Sequence, residues 1–236
     1  MVVYHPQTKK EAVEMRVGNE NSRYLAGGTD DLRLGGDADR DTILIDVNPL
    51  LERGITDMGN GIIKVGALTT FNEMIDSPLV PNVIKEACRF NASFARRNSA
   101  TVGGNIALKR DDSYLLALFV ALGVTFNSTT LHCDGEKSTE EYAKSKCKRL
   151  IDYFLIDTKK KAWVKRFGLS STTHAALIAA VADDEKYALS VHGSAFISGS
   201  SPDIWKDIKY VSDITGSAEY KEYLAKTVFT LRRDPA

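Results

Sequence analysis

Two glycine pairs place the strongest constraint on the fold of this chain of 236 residues. The first pair lies in residues 25–30 (LAGGTD), and the second lies in residues 100–107 (ATVGGNIA). Either pair alone is typical of a tight turn, because glycine adopts positive φ at little cost. Each pair, however, is joined to a threonine and to a second hydrogen-bonding side chain, Asp30 or Asn105. Backbone N–H groups in such a setting can surround a phosphate, so we interpret the segments as two halves of one nucleotide site.

The composition is typical of a globular protein with one large or two modest cores, since 43% of residues are hydrophobic and 26% are charged. The 31 basic residues balance the 31 acidic ones, so no overall field attracts nucleic acid or an anionic membrane. No apolar run approaches the roughly 20 residues that cross a bilayer. The first residues lack the pattern of a signal peptide. We therefore expect a cytoplasmic protein with neither nucleic acid nor membrane as partner.

The cysteines and histidines give no pattern that binds a metal. Cys88, Cys133 and Cys147 are widely spaced and include no CxxC pair, which argues against a disulfide framework, a zinc site or an iron–sulfur cluster in this chain. The four histidines also lack ligand spacing. We expect no metal ligands and no catalytic acid or base, and any redox metal would belong to another chain. A GxGxxG motif is also absent, which disfavours a Rossmann site.

Helical and strand patterns alternate along the chain. Thr8 and Thr70 are placed to cap helices, and Pro81 is placed to open one, because its missing N–H costs nothing there. Before the lysines at 159–161, the sequence predicts helices at 9–17, 71–75, 81–90 and 113–122 and strands at 23–26, 43–47, 62–66 and 124–127. After them, it predicts a small sandwich made of strand 162–167, helix 173–182, strand 187–197 and helix 218–232.

Five motifs in a fixed order carry a resemblance to a known family. They are residues 4–6 (YHP), 25–30, 65–70 (VGALTT), 97–98 (RN) and 100–107. In this order they resemble the FAD-binding medium subunits of molybdenum hydroxylases, the family of xanthine dehydrogenase and the carbon monoxide dehydrogenase flavoprotein. Residues 217–221 (SAEYK) resemble a segment of the C-terminal domain of that flavoprotein.

The resemblance implies an α+β fold and a function in electron transfer. A two-lobed FAD-binding domain of the vanillyl-alcohol-oxidase (PCMH) type would span residues 1–161, with lobes at about 1–54 and 55–161. A small α/β C-terminal domain of the carbon monoxide dehydrogenase flavoprotein type would span 162–236. The implied partners are a [2Fe–2S] subunit and a molybdopterin-binding subunit, and FAD would pass electrons to NAD+ or another acceptor.

The resemblance also assigns residues to the FAD site. Those of the two glycine segments are Leu25, Ala26, Gly27, Gly28, Thr29, Asp30, Ala100, Thr101, Gly103, Gly104 and Asn105. Asn91 and Ala92 align with positions near the flavin ring. Leu150 and Ile151 resemble the segment that places an apolar side chain beside the isoalloxazine.

One departure from the family pattern leaves two alternatives open. The family usually has an aspartate nine residues past the asparagine of the second motif, and Tyr114 stands there in this chain. Either Asp111 or Asp112 replaces that carboxylate at the cofactor, or the residue is the N-cap of the following helix. Because of Tyr114, a second function also stays open, in which a protein of the same fold has lost or weakened FAD and serves in assembly or interaction.

Overall fold

The computed structural model describes residues 2–32, 41–91, 93–132, 134–145, 149–170 and 173–230, with Asn91 described by its backbone alone. Within these ranges the chain forms three layers of sheet with helices between them. No helix in the described ranges has both the length and the apolar composition that crossing a membrane requires.

The first lobe is built on a small parallel sheet. Its strands are β1 (Val2–Tyr4), β2 (Ser22–Leu25) and β3 (Ile43–Asp46), in the order β1-β3-β2. Helix α1 (Lys9–Gly18) crosses between β1 and β2, and the hydroxyl of Thr8 caps it by accepting from the backbone N–H of Glu11 at 3.1 Å. Apolar residues of α1 and β3 form the core of this lobe. The predicted helix and its cap are confirmed.

The second lobe contains an antiparallel sheet and a group of helices. The strands are β4 (Ile55–Gly59), β5 (Ile62–Gly66), β6 (Thr125–Thr129), β7 (Gly135–Ser138) and β8 (Leu150–Asp157), in the order β4-β5-β8-β6-β7. The helices are α2 (Phe71–Asp76), α3 (Asn82–Asn91), α4 (Phe94–Arg97), α5 (Val102–Leu108), α6 (Tyr114–Leu122) and α7 (Thr139–Lys144). Helix α6 is buried at every position and forms the centre of the largest core.

A third layer follows the turn at residues 158–161. It is an antiparallel sheet of β9 (Ala162–Phe167), β10 (Leu177–Ala182), β11 (Tyr187–Val191) and β12 (Ala195–Gly199), in the order β12-β11-β10-β9. Alternate residues of β10 face opposite sides: Ile178 and Ala180 belong to the core around α6, while Leu177 and Ala179 pack toward the 3₁₀ helix Pro202–Asp207 and helix α8 (Ala218–Thr230). The hydrophobic core is therefore continuous from the second lobe into this sheet.

Two expectations about secondary structure are wrong. Residues 177–182 form strand β10 and not part of a helix, because this apolar run is buried on both faces and has no periodicity that separates helix from strand. Residues 187–197 form two strands, which turn at Gly193 with φ +67°. The sequence predicted no element at the second glycine pair, which lies in the first turn of α5. The last predicted helix is confirmed to Thr230, and residues 231–232 lie outside the described residues.

Candidate functional site

A cleft of about 1430 Å³ lies between the two lobes and reaches the third sheet. Its walls come from the end of β2, the start of α5, the start of β8 and the segment before β10. Single small-molecule pockets commonly measure about 300–1,000 Å³, so this space accommodates a large ligand.

Most residues that the sequence assigned to the FAD site line this cleft. They are Ala26, Gly27, Gly28, Thr29, Asp30, Ala100, Thr101, Gly103, Gly104, Asn105, Asp112, Leu150 and Ile151. Leu25 ends β2, and Asp111 faces the third sheet, so neither of them lines the cleft. Ala92 and the side chain of Asn91 lie outside the described residues.

Residues 26–30, which we call the first loop, present unpaired backbone donors. Gly28 has φ +65°, a left-handed conformation that glycine adopts without strain. Within the described residues, the backbone N–H groups of Gly27, Gly28 and Thr29 have no hydrogen-bond partner. Consecutive N–H groups around a left-handed residue form a concavity that binds anions. The first loop can therefore hold a phosphate group.

Gly27 also allows the first loop to lie against the second glycine segment. A Cβ atom at Gly27 would lie 1.8 Å from the carbonyl oxygen of Ser99, which no side chain can accommodate. Gly27 is therefore required for close packing against Ser99, while Gly28 is required for the left-handed backbone conformation.

Residues 100–105, which we call the second segment, use most of their backbone donors internally. The N–H of Val102 donates to the carbonyl of Thr69, and the N–H of Gly103 donates to the carbonyl of Ala67, both at 2.9 Å. The hydroxyl of Thr101 caps α5 by accepting from the N–H of Gly104 at 3.1 Å. Among residues 100–105 the N–H of Thr101 alone has no acceptor within the described residues, so the second segment offers a phosphate fewer backbone donors than the first loop.

Packing, not positive φ, requires Gly103. A Cβ atom there would lie 2.7 Å from the Cβ of Ala67 and 2.8 Å from its carbonyl oxygen. The nearest atom to a Cβ at Gly104 would be the hydroxyl of Thr101, at 2.9 Å. Asn105 accepts from the hydroxyl of Ser113 at 2.6 Å through its amide oxygen, which leaves its amide nitrogen as a possible donor at the cleft wall.

The segment Arg110, Asp111 and Asp112 connects the cleft to its surroundings. Arg110 donates to Asp30 at 3.1 Å and forms two hydrogen bonds with Asp112, at 2.8 and 3.1 Å. Burial alone would raise the pKa of Asp112, but the hydrogen bonds from Arg110 and His174 outweigh it and hold that pKa at about 2. Asp112 is therefore a lining residue whose oxygens are already paired.

Neither Asp111 nor Asp112 caps helix α6, so that alternative is wrong. The cap is Ser113, whose hydroxyl accepts from the N–H of Leu116 at 3.1 Å. Tyr114, which replaces the expected aspartate, is 8% exposed and stacks on Phe90 with ring centroids 6.1 Å apart. Burial raises the pKa of Tyr114. Its ring packs in the protein and does not line the cleft.

The cleft is positively charged although the whole chain is neutral. Among the described residues that line it, eight are basic and four are acidic. The basic ones are Arg16, Arg23, Arg89, Arg96, Lys109, Arg110, Arg149 and Arg166. The sequence interpretation assigned none of these basic residues to the site, and it also missed His174. The run of charges at 110–112 directly after the second segment is the signal that could have found Arg110.

Part of the lining of the cleft is apolar. Leu150 and Ile151 begin β8 and are 2% and 4% exposed. Leu68 and Phe71 contribute further apolar surface to the same lining. The cleft therefore combines a loop with unpaired backbone donors and an apolar surface that a flat ring can contact.

Comparisons with known proteins agree with this geometry. A family model described as "FAD binding domain in molybdopterin dehydrogenase" matches residues 1–156. The uncharacterized protein YgfM of Escherichia coli (strain K12) is 26% identical over an alignment of 243 residues, which covers 94% of this chain and 90% of that protein. The xanthine dehydrogenase FAD-binding subunit of Escherichia coli O157:H7 is 36% identical over 109 residues, which cover 44% of this chain and 37% of that subunit.

A solved structure confirms the expected fold. The carbon monoxide dehydrogenase of Hydrogenophaga pseudoflava contains a chain that matches with a TM-score of 0.80 at 20% identity. The match covers 97% of this chain and 94% of the other. At this identity the likeness concerns the fold, and it confirms the α+β class predicted from the sequence motifs.

Proposed function

We propose, since the chain belongs to the family of FAD-binding domains in molybdopterin dehydrogenases, that it is the electron-transfer subunit of a molybdenum hydroxylase complex. Bound FAD supplies reversible two-electron storage between [2Fe–2S] clusters of a partner subunit and NAD+ or another acceptor. A molybdopterin-binding subunit carries out the oxidation of substrate. The protein chain described here contributes binding, orientation and electrostatics.

The first loop is the observation that carries this proposal. The N–H groups of Gly27, Gly28 and Thr29 are unpaired within the described residues, and basic residues outnumber acidic ones around the cleft. The pyrophosphate of FAD carries negative charge that such donors solvate, and hydrogen bonds to charged groups are the strong ones. The residues present therefore fit FAD, and we assign its pyrophosphate to the first loop.

The positions of the other predicted residues in the cleft suggest which part of FAD each one contacts. We assign the isoalloxazine to the apolar part of the lining at Leu150 and Ile151, because these residues, Leu68 and Phe71 form an apolar surface that a flat ring can contact. The amide of Asn105 and the hydroxyl of Thr29 lie on the lining and supply hydrogen bonds to the sugar and ribityl hydroxyls. Thr101 and Gly103 hold the wall in place.

The domain boundary at residues 161 and 162 stays part of this proposal. The turn at 158–161 separates β8 from β9, which belong to different sheets, and the family model ends at residue 156. The two units share a continuous core through α6 and β10. We therefore propose one FAD-binding domain of residues 1–161 and a C-terminal domain of residues 162–236 that packs firmly on it.

Purification of the full chain with its cofactor tests the function. We expect a flavin absorption spectrum and, after reconstitution of the flavin-free protein, one FAD per chain. Co-purification of iron and molybdenum with the tagged chain from its native host tests the assembly. A folded chain that takes up no FAD would overturn the proposal and favour the alternative assembly role. Binding of FAD without molybdenum or iron would overturn the partners alone.

A further inference from the structure

The segment from Arg110 to Asp112 links the first loop to the third sheet. Arg110 reaches Asp30, the last residue of the first loop, at 3.1 Å. Asp111 accepts from the N–H of Gly193 at 2.9 Å, and its carbonyl accepts from the hydroxyl of Ser190 at 2.7 Å. Three successive residues therefore touch the first loop, the cleft and the β11–β12 hairpin.

His174 completes this link from the C-terminal side. Its Nδ1 lies 2.5 Å from the Oδ2 of Asp112, and Asp112 in turn pairs with Arg110 through both oxygens. The side chains of Asp112 and Asp30 are 18% and 17% exposed. His174, at the outer end, is 51% exposed. The more buried members, Asp112, Arg110 and Asp30, form a hydrogen-bonded chain whose members support one another. The chain runs from His174 through Asp112 and Arg110 to Asp30.

The charged groups around His174 favour this arrangement. Asp112 faces it from the segment before α6, and the ring of His192 lies 5.5 Å away, itself paired with Asp213 at 2.9 Å. The buried Lys221 of α8 donates to Asp213 at 2.6 Å. The guanidinium of Arg166 donates to the carbonyls of Ser170 and Thr173. The cations of Lys221 and Arg166 are thus engaged by other acceptors, and Asp112 is the acceptor that His174 contacts.

The first loop depends on such support from outside. Two bonds already orient part of it: the N–H of Leu32 donates to the carbonyl of Gly28 at 3.0 Å, and the amide of Asn48 donates to the carbonyl of Ala26 at 3.3 Å. Arg110 adds a further restraint at the end of the loop, through the carboxylate of Asp30. An isolated surface ion pair stabilises little. A connected series of pairs anchored on the third sheet restrains Asp30 more strongly, and with it the donors at residues 27–29.

We propose that His174 is a positioning residue for FAD, which holds the first loop in its binding conformation through Asp112, Arg110 and Asp30. The proposal rests on the proposed function, because it assumes that the first loop binds the pyrophosphate. It gives the C-terminal unit a part in cofactor binding although that unit lies beyond the residues of the family model.

Replacement of His174 by Ala tests the proposal on the purified full chain. Titration of flavin-free protein with FAD, followed by flavin fluorescence, should show affinity about five- to tenfold weaker than in the wild type, the size of one coupling between neighbouring charged groups. His174→Asn keeps a donor near the position of Nδ1 and should recover most of the loss.

A matched control is available on the same sheet. Lys186 lies 2.6 Å from Glu140 of α7, so this pair also joins the third sheet to the second lobe, away from the cleft. Lys186→Ala should change the melting temperature of the flavin-free protein by an amount similar to His174→Ala and leave FAD affinity unchanged.

The outcomes separate this proposal from the proposed function. If the wild type takes up no FAD, the proposed function fails. If the wild type binds FAD and His174→Ala binds it equally well, or if Lys186→Ala weakens FAD as much, the positioning role fails. A double-mutant cycle combines His174→Ala with Asp112→Asn and measures FAD affinity. In the Asp112→Asn background His174→Ala should cause no further loss, and additive losses would contradict the link.

Discussion

The first loop and the second segment contain the same glycine pair, but they use it differently. In the first loop Gly28 is left-handed and the N–H groups of residues 27–29 are unpaired in the described part of the chain. In the second segment the N–H groups of Val102, Gly103 and Gly104 are all paired within the protein. One glycine pair leaves backbone donors free at the cleft, and the other lets a helix approach the end of a strand closely.

The difference shows that a glycine pair first allows two chain segments to pack closely. Contact with a ligand depends on which backbone donors stay unpaired after that packing. Gly27 removes a clash with Ser99, and Gly103 removes a clash with Ala67, so both pairs fit two chain segments together. Only the donors that remain after this fitting are available to a cofactor. The following substitutions separate the packing role from the binding role.

The largest effect is expected for Gly103→Val. A Cβ at this position would lie 2.7 Å from Ala67, and the branched side chain would push α5 away from the end of β5. Overpacking of this kind costs about 3 kcal/mol. Urea unfolding of the flavin-free protein should show the loss. Normal stability together with lost FAD binding would mean that the second segment serves the cofactor and not the fold.

Gly27→Ala should affect binding more than folding. Because the new Cβ would lie 1.8 Å from the carbonyl oxygen of Ser99, the first loop must move and its donors lose their alignment. Each hydrogen bond to a charged group is worth about 1.5–3 kcal/mol, so FAD affinity should fall at least tenfold. Gly18→Ala is the control, since nothing lies within 4 Å of a Cβ there. Unchanged FAD affinity in Gly27→Ala would remove the first loop from the site.

Acid should weaken the link between Asp112 and the first loop. The pKa of Asp112 is held at about 2 in the folded protein, below its usual value of about 4. A lowered folded pKa contributes stability above the unfolded pKa, and this contribution disappears as the pH falls from about 4 to about 2. Asp112→Asn should therefore be less stable than the wild type at neutral pH. This difference in unfolding free energy should disappear as the pH falls from about 4 to about 2. Urea midpoints of both proteins measured against pH check this. A difference between them that stays constant with pH would contradict the pairing of Asp112 with Arg110 and His174.

The smallest effect is expected for Gly104→Ala. Alanine is a better helix former by up to about 1 kcal/mol, which offsets the contact of its Cβ with the Thr101 hydroxyl. Stability and FAD affinity should both stay close to those of the wild type. If this variant lost FAD as strongly as Gly27→Ala, the contrast between the two glycine pairs would be wrong. The titration used for the first loop measures both variants side by side.

Local sequence patterns predicted the first two layers better than the third. The caps at Thr8 and Thr70 and the apolar helix α6 follow from residue types at short spacing, and the structure confirms them. Strand β10 was mistaken for helix because residues 177–182 are apolar on both faces, and only the packing of α6 and α8 on opposite sides explains that burial. Such pairing between distant elements leaves no periodic signal.

The composition of the cleft was predicted, but its internal hydrogen bonds were not. The resemblance identified the two glycine segments and the apolar pair at 150 and 151, and these residues line one cleft. The sequence could not show that Ala67 and Thr69 accept from the second segment, because those bonds join positions more than thirty residues apart. For the same reason Asp112 and His174 appeared unrelated before the fold brought them together.

The affinities of FAD and FMN for the flavin-free protein test the central claim most directly. If the first loop holds the pyrophosphate, FAD should bind at least about 100-fold more tightly than FMN, since FMN leaves charged hydrogen bonds unmade and each is worth about 1.5–3 kcal/mol. In Gly27→Ala that preference should largely disappear. Equal calorimetric affinities of the wild type for the two flavins would contradict the assignment of the first loop to the pyrophosphate.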